Sequence, residues 1–368
     1  MTPINPFVAI MVAALTLLLS TAAGGAPTLR VEQIAEGLEH PWSLVFLPNG
    51  NALVSERAGR LRLLKDGKLD PDPVEGVPAV AAVGQGGLLD LALHPDFAHN
   101  HWLYFSYAHR GEDGLTTRLA RAQYRDGVLK DREVLFEALP REPTRHHFGG
   151  RIVFDREGHV YLSVGDRGTK SNAQNLTHHA GSIIRLNADG SVPADNPFVN
   201  RSDARPEIFA YGVRNPQGMA LHPDTGAVWE HEHGPRGGDE VNIIRKGVNY
   251  GWPKITYGID YDGSIISEKT HAPGMAQPLH YWDPSIAPSG MAFYSGDAFP
   301  QWQGDVFVGA LAGQKLVRLR FEGEKLREEE ALLEDLHSRI RAVIDAPDGT
   351  LWLLTDAANG QILRLTSP

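Results

Sequence analysis

The chain contains no cysteine. Disulfides, thiolate nucleophiles and cysteine-ligated zinc or iron–sulfur centres are therefore excluded, and any catalysis must use other groups. The absence also suits an oxidising compartment, where a stray thiol is a liability. A surplus of positive charge is missing too: 35 Lys and Arg stand against 45 Asp and Glu, a formal net charge of −10. Nucleic-acid binding needs a cationic surface that displaces counterions, so it is excluded as the main activity. A small polar substrate suits the balance better. Long apolar runs are confined to the N-terminus, where Phe7 to Leu19 is uncharged and small residues follow. This is the layout of a secretory signal with cleavage near Ala22 to Ala26, although Lys and Arg are absent before the run, and an uncleaved anchor is the alternative. Residues 1–25 are expected to direct export, leaving residues 26–368 as a single domain with no stable membrane insertion after cleavage.

What the chain does hold is turn chemistry. Its 39 Gly and 25 Pro punctuate many short apolar stretches, and 368 residues is a length that single all-β domains reach. An apolar stretch, a Pro-Asn-Gly-like turn and a second apolar stretch recur at Trp42 to Glu56 and Arg151 to Asp166. Copies also start at Leu88, Gly218, Gly290 and Ala342. Each unit reads as a hairpin, and further strands such as KLVRLRF and QILRLT follow. Six diverged repeats of roughly 40 to 70 residues predict an all-β fold, a six-bladed β-propeller of four-stranded antiparallel blades. The segment Thr28 to Ile34 is expected to add an outer strand to the last blade and so close the ring. The stretches Leu176 to Ala210 and Gly251 to Trp282 lack a helical period and are expected to be loops on one face.

Polar residues gather where these hairpins begin. His147, in RHHFGGRIVFD, precedes a strand beside two glycines that permit close backbone approach; it fits a general base or a hydrogen-bonded structural histidine. His146 can tune it or point to the opposite face. Gln85, in VGQGGLLDLALHP, reaches a ligand or merely shapes a turn. Arg214 and Asn215 repeat this placement, and Arg339 and Arg341, in HSRIRAVID, share one side of their strand. Converging arginines imply a polycarboxylate ligand, with salt bridges between blades as the alternative. In YGVRNPQGMALHPDTGAVWEHEHGPRGGDEVNIIRKGVNYGWP, the acids Asp239 and Glu240 and the carbonyls of Gly234, Pro235 and Tyr250 are oxygen donors of the kind calcium takes, or else a solvated acidic turn.

Taken together, GQGGLLDLALHPDF, HHFGGRIVFD, YGVRNPQG, EHGPRGGDEVN with NYGWP, PSGMAFY and RIRAVIDAPDG resemble, in order, the soluble quinoprotein sugar dehydrogenases of the glucose/sorbosone dehydrogenase family, particularly its periplasmic aldose branch. The resemblance implies a six-bladed propeller that binds pyrroloquinoline quinone (PQQ) and calcium. It would oxidise the anomeric carbon of aldoses to lactones and pass electrons to a dye, a quinone or a soluble carrier. It further implies His147 as the base and Gln85, Arg214, Asn215, Tyr261, Arg339 and Arg341 as cofactor neighbours. Gly234 and Pro235 would be ligands of a cofactor calcium, and Glu240 with Tyr250 of a structural one. This chain departs from the pattern twice: His146 stands where relatives carry an Asp, and Ala312, ahead of Gly313 and Gln314, where they carry a cofactor-contacting Lys, with Gln314 or Lys315 as the expected substitute. A calcium-dependent lactonase and a non-catalytic propeller that binds a glycan or a protein are the competing functions.

Overall fold

The structure, a computed structural model, describes residues 29–367; the expected signal segment lies outside them. The chain forms six four-stranded antiparallel sheets. Their first strands, Pro41–Phe46, Leu88–Leu93, Ile152–Phe154, Pro216–Leu221, Pro288–Phe293 and Ile340–Asp345, touch one another in sequence and the last touches the first, so the sheets are blades around a central channel. The six hairpins expected from the turn chemistry are the first two strands of the six blades. Ring closure is also as expected: Arg30–Leu38 pairs with Gly360–Thr366 as the outermost strand of the last blade, with Arg30 opposite Thr366. Antiparallel pairing of the two ends of the chain within one blade ties the last blade to the first and closes the ring.

Blades pack face to face, so both faces of most strands are covered. Second strands such as Val160–Val164, Val228–Glu232 and Leu351–Thr355 are buried at every position. Aromatic residues span the seams: Tyr104 of the second blade meets Phe154 of the third edge-on, with ring centroids 4.9 Å apart, a favoured geometry for paired rings.

The two long inserts are shorter than expected. Leu176 to Ala210 contains the third strand of its blade, Ser182–Leu186, and most of the fourth, Ile208–Tyr211, while Gly251 to Trp282 ends in the strand His280–Trp282. Strands of three to five residues between Asn-, Asp- and Gly-rich flanks are too brief to stand out as a periodic pattern. Among the described residues, no helix is long and apolar enough to cross a membrane.

Candidate active site

Antiparallel blades bring two kinds of position to the same end of the channel: residues just before a first strand and residues just after a second. Gln85, His147, Arg214 and Arg339 are of the first kind, and Arg57, Asp166, His233 and Asp356 of the second. At that end lies a cavity of about 240 Å³ whose walls include Gln85, Asn215, Arg57, Arg339 and Arg341. The floor is a hydrogen-bonded layer. Gln217 Oε1 accepts from Arg341 Nη1 at 3.1 Å and the Gln217 carbonyl from Arg151 Nε at 2.5 Å, while Arg151 is paired with Asp90 at 3.1 Å.

Arg339 and Arg341 flank the buried Ile340, so strand alternation sends both guanidinium groups to the same side. Each donates to Asp356 Oδ2 at 3.1 Å, and His40 Nδ1 approaches Asp356 Oδ1 at 2.8 Å. The pairing lies within the last blade rather than between blades. Burial pushes the Asp356 carboxyl up, but Arg341, His40 and Arg339 outweigh it and hold the group well below the usual range. Burial likewise pushes Arg341 down to about 10, and its Nε is buried without a partner. Three arginines thus face a cavity whose nearest carboxylate, Asp356, is already shared, which leaves a net demand for an anion.

His147 stands at the edge of this cavity. Its backbone N–H donates to Gln85 Oε1 at 2.8 Å, and Phe148 and Gly149, which follow it, line the wall. Its φ of 55° is left-handed, a conformation that costs a non-glycine residue about 1 kcal/mol or more and collects at functional sites. Close packing by Gly149 and Gly150 allows it: a Cβ on Gly149 would lie 2.6 Å from the Ser163 carbonyl. The imidazole Nδ1 is 2.6 Å from Asp166 Oδ1, a carboxylate that also accepts from Trp252 Nε1 at 2.8 Å and Gly168 N at 2.7 Å. The ionised Asp166 fixes the proton on Nδ1 and leaves Nε2, which has no hydrogen-bond partner among the described residues, as a lone pair. Burial pushes the imidazole below its ordinary value; Asp166 pulls it up, and Arg214 pushes it down again. For Asp166 burial acts upward, yet His147, Arg214 and Gly168 N hold it below the usual carboxylate range. The result is a neutral, oriented base at neutral pH.

Beside the cavity the fourth blade buries carboxylates. Glu232, Glu240, Gly234, Tyr250 and Arg214 surround a void of about 10 Å³, room for about one small occupant. Of the carbonyl pair expected to hold a separate ion, Gly234 lines the same void as Glu240 and Tyr250, whereas Pro235 does not. Glu230 lies behind them, and its Oε2, like Asn242 Oδ1, is buried with no partner. Burial, reinforced by the charge of Glu240 at Glu230 and Glu232 and by that of Asp239 at Glu240, raises Glu230 and Glu232 well above the carboxylate range and Glu240 to about 7. Buried carboxylates at this density demand protons or a cation, and hard oxygen donors suit calcium. The Tyr250 hydroxyl donates to the Ile243 carbonyl at 2.6 Å and accepts from Arg245 N at 2.8 Å, which leaves the main-chain carbonyl as the residue's available oxygen donor. Gly234 O accepts from Arg214 Nη1 at 3.0 Å, whereas Pro235 O accepts no hydrogen bond among the described residues.

Asp239 differs from its expected use as an oxygen donor. Its two oxygens accept from Gly234 N, Ser285 Oγ, Ile286 N and Ala287 N at 2.8–3.1 Å, so it is a staple between loops rather than a free ligand. The expected cofactor contacts divide. Arg214 adjoins the cavity through His233, whose carbonyl accepts from its Nη1 at 2.9 Å, and Tyr261 lies against Arg214 with its hydroxyl 3.5 Å from Nη2. Ala312, Gly313 and Gln314 form a turn between strands that reaches the cavity only through Leu311. Lys315, the proposed substitute, lies 4.0 Å from Glu334 and lines no part of the cavity. Asp166, Glu232, Glu230 and Arg57 were not singled out from the sequence. For Arg57 and Asp166 the signal is the repeat itself, since they follow the second strands of their blades, as Asp356 does.

A family model described as Glucose / Sorbosone dehydrogenase matches residues 38–364. The aldose sugar dehydrogenase YliI of Escherichia coli is 45% identical over 355 residues, 95% of this chain and 96% of that one. The crystal structure of the soluble aldose sugar dehydrogenase from Escherichia coli in the apo form superposes with a TM-score of 0.90 at 43% identity, covering 93% of this chain and 100% of that one. The PQQ-bound form of aldose sugar dehydrogenase from Streptomyces coelicolor superposes with a TM-score of 0.74 at 29% identity, covering 92% of this chain and 100% of that one.

Proposed function

The chain belongs to the glucose/sorbosone dehydrogenase family, and from that premise we propose that it is a PQQ- and calcium-dependent aldose sugar dehydrogenase, oxidising the anomeric carbon to a lactone. The observation that carries the reading is the His147–Asp166 pair set beside a cavity that asks for an anion. The residues present fit both groups. Arg339 and Arg341, with Arg214 adjoining, supply planar donors for the carboxylates of a quinone acid, and the unpartnered Arg341 Nε is a buried donor awaiting an acceptor. Glu240 and Glu232, with the Tyr250 carbonyl, would hold a structural calcium whose charge answers the buried carboxylates, and the Gly234 and Pro235 carbonyls would offer donors to a calcium on the cofactor. When bound, PQQ supplies the two-electron sink that the side chains lack, and calcium polarises its oxygens.

The protein's part is then positional and electrostatic. Gln85 holds the His147 backbone, Asp166 holds its ring, and Nε2 takes the proton of the sugar's C1 hydroxyl as the C1 hydrogen leaves with its electron pair. Loss of that proton and hydride converts the ring hemiacetal to the lactone. The imidazolium formed is stabilised by Asp166, which stays ionised. The enzyme would act in the periplasm, given the apolar N-terminal run, and hand its electrons to a soluble or membrane-held acceptor.

Purified protein given PQQ and calcium is expected to reduce a redox dye with glucose or other aldoses and to lose that turnover in EDTA. Release of acid from lactones without quinone, with no dye reduction, would overturn the dehydrogenase in favour of a hydrolase.

A further inference from the structure

Among the described residues, Arg57 lines the cavity with a guanidinium that has no partner. It follows the strand Ala52–Glu56 of the first blade, and its backbone is fixed from two sides: its N–H donates to the His40 carbonyl and its carbonyl accepts from Leu88 N, both at 3.2 Å. The stem of the side chain lies on Gly87. A Cβ there would sit 2.7 Å from Arg57 Cγ and 2.0 Å from its carbonyl oxygen, so only glycine lets the arm pass. The side chain then lines the cavity with Arg339 and Arg341, near enough for its charge to be felt at Arg341. Those two arginines are tied to Asp356, whereas the Arg57 guanidinium has no hydrogen bond or ion pair among the described residues. Asp356 is already shared three ways, since His40 takes its other oxygen at 2.8 Å. The fifth blade, which lines the cavity through Ala287 and Leu311, adds no cation, because Ala312 is apolar and Lys315 is directed to Glu334.

We propose that Arg57 is an anion-binding residue of the cofactor pocket, its guanidinium pairing with a carboxylate of the bound quinone as a third fixed cation beside Arg339 and Arg341. The inference rests on the quinone reading given above. A half-buried guanidinium, already aimed and free of a competing partner, gives up little when it meets a carboxylate, and its planar fork allows two parallel hydrogen bonds.

The test is titration of PQQ into calcium-loaded protein, followed by tryptophan quenching, for the wild type, Arg57→Gln and Arg57→Lys. Loss of one charge-assisted contact predicts a Kd roughly 10- to 100-fold higher for Arg57→Gln. Lys, which keeps the charge without the fork, should restore part of that loss. The melting temperature of the cofactor-free variants should match the wild type within about 2 °C, because the group supports no contact in the fold. A Kd for Arg57→Gln within about twofold of the wild type overturns the assignment, as does weaker binding that comes with a lowered melting temperature and no rescue by Lys. Wild-type protein that fails to quench with PQQ overturns the quinone reading itself and the Arg57 assignment with it.

Discussion

Conversion of His147 to Asn is expected to lower kcat for aldose oxidation by about 10²- to 10⁴-fold, the scale of a lost general base, while the Kd for PQQ changes little. Asn is the informative replacement because it tolerates the left-handed backbone at φ 55° better than Ala does. The gap between the two readouts follows from geometry: the backbone N–H of His147 holds Gln85 and survives the change, whereas the unpartnered Nε2 disappears. The pH profile adds a second reading. Burial holds the imidazole below its ordinary value of 6.5, so the wild-type acid limb of kcat/KM should fall below that pH, with activity lost as Nε2 is protonated. In Asp166→Asn the carboxylate that raises His147 is gone, so the limb should move to still lower pH while the plateau drops by about 10²- to 10⁴-fold because the tautomer is no longer enforced. A limb that moved upward, or an unchanged plateau, would remove Asp166 from the mechanism. Near-wild-type kcat in His147→Asn would remove the base.

The sequence displayed the propeller because each hairpin repeats its own local signals. A turn such as Pro48-Asn49-Gly50 between apolar stretches needs no tertiary partner to be recognised. The closing strand was legible for a related reason: an unpaired apolar segment before the first repeat has one open edge to fill. The placement of His147 and the arginines was legible by position, since Gln85, His147, Arg214 and Arg339 all stand before the first strand of a blade. What escaped was set by neighbours distant in sequence. Asp166 closes the repeat Arg151 to Asp166 that His147 precedes, yet only the antiparallel return of the hairpin brings it back to the imidazole. Glu230 and Glu232 alternate with His231 in VWEHE, the pattern of a strand with one wet face; blade-to-blade packing covers that face, and both are buried. Asp239 looked like an ion ligand because a loop acid usually has free oxygens. Four donors from its own blade and the next, none predictable from composition, occupy them.

Those buried carboxylates give the second large effect, on stability rather than rate. In metal-free protein Glu230, Glu232 and Glu240 are raised above their ordinary value of 4.5, Glu240 to about 7. A carboxyl raised on folding binds its proton more tightly in the native state. Its contribution is therefore fully present below about pH 4.5 and is lost as pH climbs through the folded value. The metal-free melting temperature should accordingly fall between about pH 5 and pH 8. Calcium replaces the missing protons with a cation, so its stabilisation should grow over the same interval, from little near pH 5 to roughly 5–10 °C at pH 8 in a large excess of ion. Glu240→Gln separates this from a general salt effect. Removing one buried charge should raise the metal-free melting temperature at pH 8 above that of the wild type, because an unpaired buried carboxylate costs more than a neutral amide. The same change should also abolish the response to calcium. Equal calcium stabilisation at pH 5 and pH 8, or a Glu240→Gln protein that still responds, would mean that the ion sits elsewhere and that these acids are kept protonated for another reason.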